Sequence, residues 1–326
     1  MVLLCQAKDR VHKRLIGGIS VPKTRGFITM ATGSEQYYEL AANLYLSYKT
    51  HGGKLPFTII CDRHNKYTKK FDGVIILTEV QNNYLDKFNL FINLPYDENF
   101  FIEPDCLIYK NIDSIFEKFE NAPDFYALNV IRAELGHDGW FIPAEAITRK
   151  YPELTHFLGF NPGYMFFRKS DLMQKIYNDC FEISEYLISC SEYKETKIFF
   201  NGGLRDDPVI WLAAEKNNCY SETFGSSFSL GKPVSLPGTQ ILYISQNEER
   251  LDIIDEYDGS RYDGNFLLHF STRRTLEGLY SHQLIAVKML RYKLFIPFVK
   301  WFEKEKTRKL YVKIHKTLRG LFGKHK

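Results

Sequence analysis

Residues 27 to 31, Phe-Ile-Thr-Met-Ala, form a short apolar run. After a polar turn, Tyr37, Ala41, Leu44 and Tyr48 recur at spacings of four, three and four, ahead of Gly52-Gly53. A second apolar run fills 57 to 61 and a third 74 to 77. The first run has the length and composition of a buried strand, the spaced residues mark one face of a helix that glycine closes, and the later runs are strands again. Strand, helix, strand in that order commits the chain to a parallel sheet, because two parallel strands need a crossover about the length of a helix.

The pattern continues along the chain. Leu85, Phe88 and Ile92 mark a helix that ends before Pro95, and 100 to 102 is a short apolar strand. Residues 106 to 108 are apolar, 112 to 119 read as a short helix and 125 to 130 as a strand. Between 131 and 160 the periodicity fades, which predicts a surface excursion carrying His137, Asp138 and Trp140. A strand at 163 to 167 leads into a helix through Leu187 with Ser170 at its cap, and Asp206-Asp207-Pro208 opens a second helix. Residues 219 to 264, rich in Ser, Gly, Pro and Tyr, read as short strands and loops before a last strand at 266 to 270.

Composition excludes several classes. With 44% hydrophobic residues, 26 Phe and 21 Tyr in 326 positions, the chain has material for a packed core and is not a disordered polymer. Its six cysteines contain no CxxC pair and are expected to be reduced thiols. No apolar stretch approaches the roughly 20 residues that span a bilayer, the start lacks a signal pattern, and no N-x-[ST] acceptor occurs. The cytosolic side is therefore the expectation. Net charge is +4, but residues 285 to 326 hold 13 Lys and Arg against only Glu303 and Glu305, leaving 30 bases and 37 acids in the body. An acidic body and a basic tail point to a polyanionic partner for the tail alone.

The usual anchors of other chemistries are missing. The turn after the first strand, Ala-Thr-Gly-Ser-Glu-Gln at 31 to 36, is no GxGxxG, and GxxxxGK[ST], HExxH and GxSxG are absent. Instead, the strand at 100 to 102 runs into Glu103-Pro104-Asp105. Two acids at the carboxyl edge of a parallel sheet sit where open α/β folds bind ligands. Neighbouring anions repel unless a cation joins them, and oxygen donors suit Mg²⁺ or Mn²⁺. On the tripeptide alone, a polar turn is the simpler reading.

The surroundings alter that reading. Lys87, Leu-Pro-Tyr-Asp at 94 to 97, the strand, Glu103-Pro104-Asp105 and Asn-Ile-Asp at 111 to 113 follow in an order that resembles the DxD region of GT-A glycosyltransferases, nearest to family eight, that of glycogenin and bacterial lipopolysaccharide galactosyltransferases. Glu103 stands where that family has an Asp. Asn161-Pro162-Gly163, Asp206-Asp207 and His269-Phe270-Ser271 resemble three further motifs of the family in the same order. The resemblance implies a GT-A fold, a mostly parallel Rossmann-like α/β sheet flanked by helices, over 26 to 275, after an N-terminal extension at 1 to 25. It implies Glu103, Asp105 and His269 as ligands of Mn²⁺ or Mg²⁺, and Asp206, Asp207 and Asn161 as residues acting near the sugar. Thr29, Ala31, Thr32, Tyr37, Lys87 and Gly163 become candidates for the nucleotide sugar, and Arg273 and Arg274 for its diphosphate. Each has a plainer alternative: His269 as a hydrogen-bonded core histidine, Tyr37 as core packing, the two aspartates as helix caps, Lys87 as a solvated residue, Asn161 as a turn residue, and the arginines as the start of the tail.

Segment 276 to 326 places Leu284, Val287, Leu290, Leu294, Phe298, Trp301 and Phe302 at mostly helical spacings among its bases, the pattern of basic amphipathic helices at a membrane surface. The alternative is a packing helix with a solvated basic face. Nucleic acid ranks below both, since the body is acidic and carries no such motif. The expected activity is metal-dependent transfer of a hexose, with retention, from a UDP-type sugar to a glycan or lipid-linked acceptor on the cytosolic membrane face. A membrane-docked sugar-nucleotide-binding or scaffold protein is the alternative; a nucleotidyltransferase ranks lower because its Gly-rich phosphate loop is absent.

Overall fold

The computed structural model describes residues 23–128, 130–137, 142–190, 198–200, 203–220, 234–235, 242–246, 251–255, 261–262, 266–270 and 278–291. Its centre is a six-stranded sheet built from β1 (Arg25–Ala31), β2 (Phe57–Cys61), β3 (Gly73–Ile76), β4 (Glu98–Ile102), β6 (Phe125–Ala127) and β9 (Tyr164–Arg168), in the spatial order β3-β2-β1-β4-β9-β6. β1 pairs in parallel with β2 and β4, and β2 with β3; β9 runs antiparallel to both β4 and β6. The sheet is mostly parallel and flanked by helices, as the strand–helix–strand pattern predicts.

Both faces are buried, which is why these strands read as continuous apolar runs. Along β1, Phe27 and Ala31 join one core with α1 (Glu35–Thr50) and α2 (Ile115–Lys118); Ile28 and Met30 join the other, beneath α4 (Asp171–Ser189) and α5 (Asp206–Lys216). β4 and β9 divide in the same way, with Phe100, Ile102 and Phe166 on the α1 side and Phe101, Met165 and Phe167 on the other. The alternation is the two-residue period of a strand with apolar side chains on both faces.

Several local expectations change. The helix at Leu85 is a 3-10 helix, Tyr84–Phe91, capped by Asn83 Oδ1 accepting from Leu85 N at 2.9 Å. The strand at 125 ends at Ala127. Ser170 occupies the cap position of α4, but its side chain makes no capping hydrogen bond. The stretch from 131 to 160 is more ordered than a surface excursion: β7 (Ile131–Glu134) pairs antiparallel with β8 (His156–Gly159), and α3 (Ala144–Lys150) lies between them. Phe157, Leu158 and Ile147 are buried there, while β7 is largely solvent-facing, so this element had no strong apolar period to reveal it. His137 lies in a described loop; Asp138 and Trp140 lie outside the described residues.

The remaining strands are short. β5 (Cys106–Ile108) lies in a second sheet; β10 (Phe199–Phe200) and β11 (Gly203–Leu204) form a hairpin. β12 (Val234–Ser235) pairs with β16 (Leu267–His269), which in turn pairs with β5, and β13 (Leu242–Gln246), β14 (Leu251–Asp255) and β15 (Arg261–Tyr262) form a meander. The final described helix, α6 (Gly278–Arg291), packs on α1. Tyr280 and Val287 of α6 are buried, and Leu284 packs against the cluster of Leu40, Leu107, Leu268 and Phe270. The basic segment beyond Arg291 lies outside the described residues.

Candidate metal centre

Three strand pairings bring the site together. Glu103-Pro104-Asp105 connects β4 to β5, so both acids sit at the carboxyl end of a central strand. β16 runs antiparallel to β5 with His269 opposite Cys106, one residue from Asp105, and Phe270 N–H donates to Asp105 O at 3.0 Å. β9 pairs with β4 so that Tyr164 faces Ile102, and the next step of that ladder is Glu103 N–H donating to Gly163 O at 2.8 Å. His269, Glu103, Asp105 and Gly163 are therefore neighbours by register.

The side chains converge. His269 Nε2 lies 3.0 Å from Glu103 Oε2 and 3.3 Å from Asp105 Oδ1. One donor atom from each of the three residues falls within 4.8 Å of the other two. Asp105 is 6% exposed, and its Oδ1 faces the His269 ring nitrogen at 3.3 Å. A buried carboxylate is costly unless a cation, an imidazolium or a metal ion, meets it. Two carboxylates and an imidazole form a mixed oxygen and nitrogen set that fits Mn²⁺ or Mg²⁺.

Around this triad the charges interlock. Lys87, on the 3-10 helix, pairs with both Glu103 Oε1 and Asp206 Oδ2. Asp206 is the first residue of α5, a helix that packs against the 3-10 helix, which explains the encounter. Asp207 turns instead to Arg205, which forks onto its two carboxylate oxygens. Asn161 accepts from Gly163 N–H at 2.8 Å through Oδ1, while its Nδ2 lies 3.2 Å from His269 Nδ1. A Cβ on Gly163 would come 2.6 Å from Glu103 Oε2, so only glycine leaves that carboxylate in place.

The electrostatics follow from these partners. Burial disfavours a charged Lys87, but Asp206 and Glu103 outweigh it and raise its pKa above the ordinary lysine value. Burial likewise opposes an ionised Glu103, yet Lys87 and His269 hold it below the usual carboxylate range. His269 is raised to about 10: burial acts against the charge, and Asp105 with Glu103 overcomes it. Asp206 is pushed up although paired, because its burial, together with Asp207 and Glu103, exceeds the pull of Lys87.

The other candidates lie on β1, just after it, on α1 or outside the described residues. Thr29 is fully buried within the sheet and Ala31 nearly so, while Tyr37 is half-buried and packs partly against the core. Thr32 Oγ1 donates to Asp86 Oδ2 at 2.8 Å. Arg273 and Arg274 lie outside the described residues. Three residues here escape a sequence reading. Asp86 accepts Gln81 N–H at 2.7 Å and Asn82 N–H at 3.0 Å as well as the Thr32 hydroxyl, tying two loops together. Asp62 accepts from the Tyr38 hydroxyl, and Arg63 bonds both Asp62 at 2.7 Å and Gly33 O at 2.6 Å while lying over the Tyr38 ring. The available signal was positional: Asp62-Arg63 follows β2 as Glu103-Pro104-Asp105 follows β4, at the same edge of the sheet.

No protein-family model matches this chain, and no curated protein matches it. Among solved structures, it is similar to the glycosyltransferase GlyE of Streptococcus pneumoniae TIGR4, at 12% identity and a TM-score of 0.38, covering 58% of this chain and 43% of that one. The apo form of the same enzyme matches at 13% identity and a TM-score of 0.39, covering 60% and 44%. The chain thus spans less than half the length of these neighbours.

Proposed function

We propose that this chain is a metal-dependent glycosyltransferase of the GT-A type, akin to family eight, that moves a hexose from a nucleotide-diphosphate sugar, a UDP-sugar in the first instance, to a glycan or lipid-linked acceptor. The observation that carries the reading is the convergence of Glu103, Asp105 and His269 at the carboxyl edge of the parallel sheet, with Asp105 buried. The motif order read from the sequence supports it, and the function rests on that order and on side-chain geometry.

Glu103, Asp105 and His269 would hold the divalent cation, which when bound supplies Lewis-acid stabilisation to the departing nucleoside diphosphate. The protein's own groups do the rest. Lys87 keeps Glu103 ionised and turned toward His269, and its positive charge favours the negative charge that accumulates as the diphosphate leaves. Asn161 brings its Nδ2 to 3.2 Å from the far ring nitrogen of His269 and so helps to fix the position of the ring. Asp206, at the start of α5, presents a buried carboxylate beside the site to orient the sugar hydroxyls. Retention requires the acceptor to enter on the face from which the diphosphate departs; the basic tail beyond Arg291 would bring the site to an anionic membrane on its cytosolic face, where a lipid-linked acceptor is found.

The test is a panel of UDP- and other sugar nucleotides, each with and without Mn²⁺, read by nucleotide release and thermal shift. Mn²⁺-dependent binding or turnover that disappears in Asp105→Asn is expected. If no donor binds or turns over with Mn²⁺ and Asp105→Asn behaves as the parent protein, the transferase reading fails.

A further inference from the structure

We infer that Lys87 is a built-in counter-cation that limits the metal centre to three donors, only one of them an oxygen of Glu103, and thereby tunes it toward Mn²⁺ and against Ca²⁺. The inference rests on the metal reading above and adds to it the origin of ion selectivity.

Three carboxylates, Glu103, Asp105 and Asp206, crowd one lysine and one histidine in the protein interior. Were all three acids free to turn inward, the centre would offer up to six carboxylate oxygens, which suits Ca²⁺ with its six to eight oxygen ligands and its bidentate carboxylates. Lys87 prevents this at two points. It binds Glu103 through Oε1, leaving Oε2 as the oxygen that faces His269 at 3.0 Å. It also holds Asp206 by Oδ2, and Asp206 is not among the residues whose donor atoms converge.

What remains is Glu103 Oε2, an oxygen of Asp105 and a nitrogen of His269, with Asp105 94% buried and its Oδ1 3.3 Å from the ring nitrogen. An ion with a taste for nitrogen as well as oxygen finds three ligands there.

The experiment uses the full chain. Mn²⁺ binding is followed by electron paramagnetic resonance of the free ion, Ca²⁺ by competition, and folding by circular dichroism. Lys87→Met keeps a flexible stem and removes the charge. It is expected to shift the ratio of Ca²⁺ to Mn²⁺ affinity toward Ca²⁺ by about tenfold or more. Asp206→Asn is expected to bind Mn²⁺ within about threefold of the parent protein, because Asp206 is not a ligand. An unchanged ratio in folded Lys87→Met overturns the inference, and so does loss of both ions, which would make Lys87 a mere prop for Glu103. A fall of about tenfold or more in Mn²⁺ affinity in Asp206→Asn also overturns it, and that variant decides the matter if Lys87→Met does not fold. A parent protein that binds no divalent ion removes the metal reading itself; normal Mn²⁺ binding with unaltered selectivity removes only the role of Lys87.

Discussion

Gly163 lies so close to Glu103 that a Cβ placed on it would come 2.6 Å from Glu103 Oε2. That carboxylate cannot withdraw freely, because Lys87 holds its other oxygen and His269 faces this one. Glu103 is one methylene longer than an aspartate, and the absent side chain at 163 provides the space its carboxylate occupies.

Gly163→Ala is therefore expected to weaken Mn²⁺ binding by about tenfold to a hundredfold, the range for disturbing the support of a ligand. The fold should persist, since the close contacts are with the ends of two side chains, Glu103 Oε2 at 2.6 Å and Asn161 Oδ1 at 2.8 Å, and not with backbone. A titration of Mn²⁺ beside a circular dichroism spectrum checks both halves, and Mn²⁺ affinity equal to that of the parent protein would refute the packing argument.

At the opposite edge of the sheet, Glu98 is 1% exposed and accepts from Arg25 Nε at 2.8 Å and Arg168 Nε at 3.1 Å. Burial pushes its pKa up, but Arg168 and Arg25 outweigh burial and hold it below the ordinary carboxylate value. A folded pKa below the unfolded one means that the stabilisation is complete above the unfolded value of about 4.3. It is lost as the pH falls from there through the folded value. Urea unfolding between pH 7 and 3 should show this loss in the parent protein and a flatter acid limb in Glu98→Gln, which should be less stable at pH 7. Parallel acid limbs would contradict the assignment.

Asp86 is 3% exposed and accepts two backbone N–H groups and the Thr32 hydroxyl. Asp86→Ala leaves those donors unpaired beside Asn82, whose φ of 55° already needs support. A loss of about 2–3 kcal/mol in urea-derived stability is expected. A loss below about 0.5 kcal/mol, the level of an ordinary surface change, would show that the two loops hold without it.

Two truncations separate the packing helix from the basic tail. Ending the chain after Arg291 keeps Tyr280, Leu284 and Val287 against the body, so thermal stability should be retained while sedimentation with anionic vesicles is lost. Ending it after Arg274 removes α6 and the hydrogen bond between Tyr109 and Gln283, at a cost on the order of 3 kcal/mol for the two buried side chains. Vesicle binding that survives the first cut would refute the membrane role of the tail.

Much of the fold was legible because the central strands are buried on both faces and α1 packs along the sheet, which leaves continuous runs such as 27 to 31 and 57 to 61 and a spaced stripe at Tyr37, Ala41, Leu44 and Tyr48. The antiparallel pair β7 and β8 was not legible. Ile131 is 48% exposed and Arg132 and Glu134 are exposed too, so that strand is held by ladder hydrogen bonds that no strong side-chain period encodes. Ser170 shows the reverse: its type and position announce a cap, yet its hydroxyl makes no capping bond.

The same division runs through the candidate site. The chain's order of residues determined that two acids end a central strand, that glycine stands at 163, and that His269 lies on a late apolar strand, since these depend on local composition and short spacings. Only the tertiary structure decided which of them meet. The register of β16 on β5 sets His269 beside Asp105, and the packing of α5 on the 3-10 helix gives Lys87 to Asp206 as well as to Glu103. Such contacts join residues far apart in the chain, and burial strengthens them by removing the water that would otherwise screen each charge.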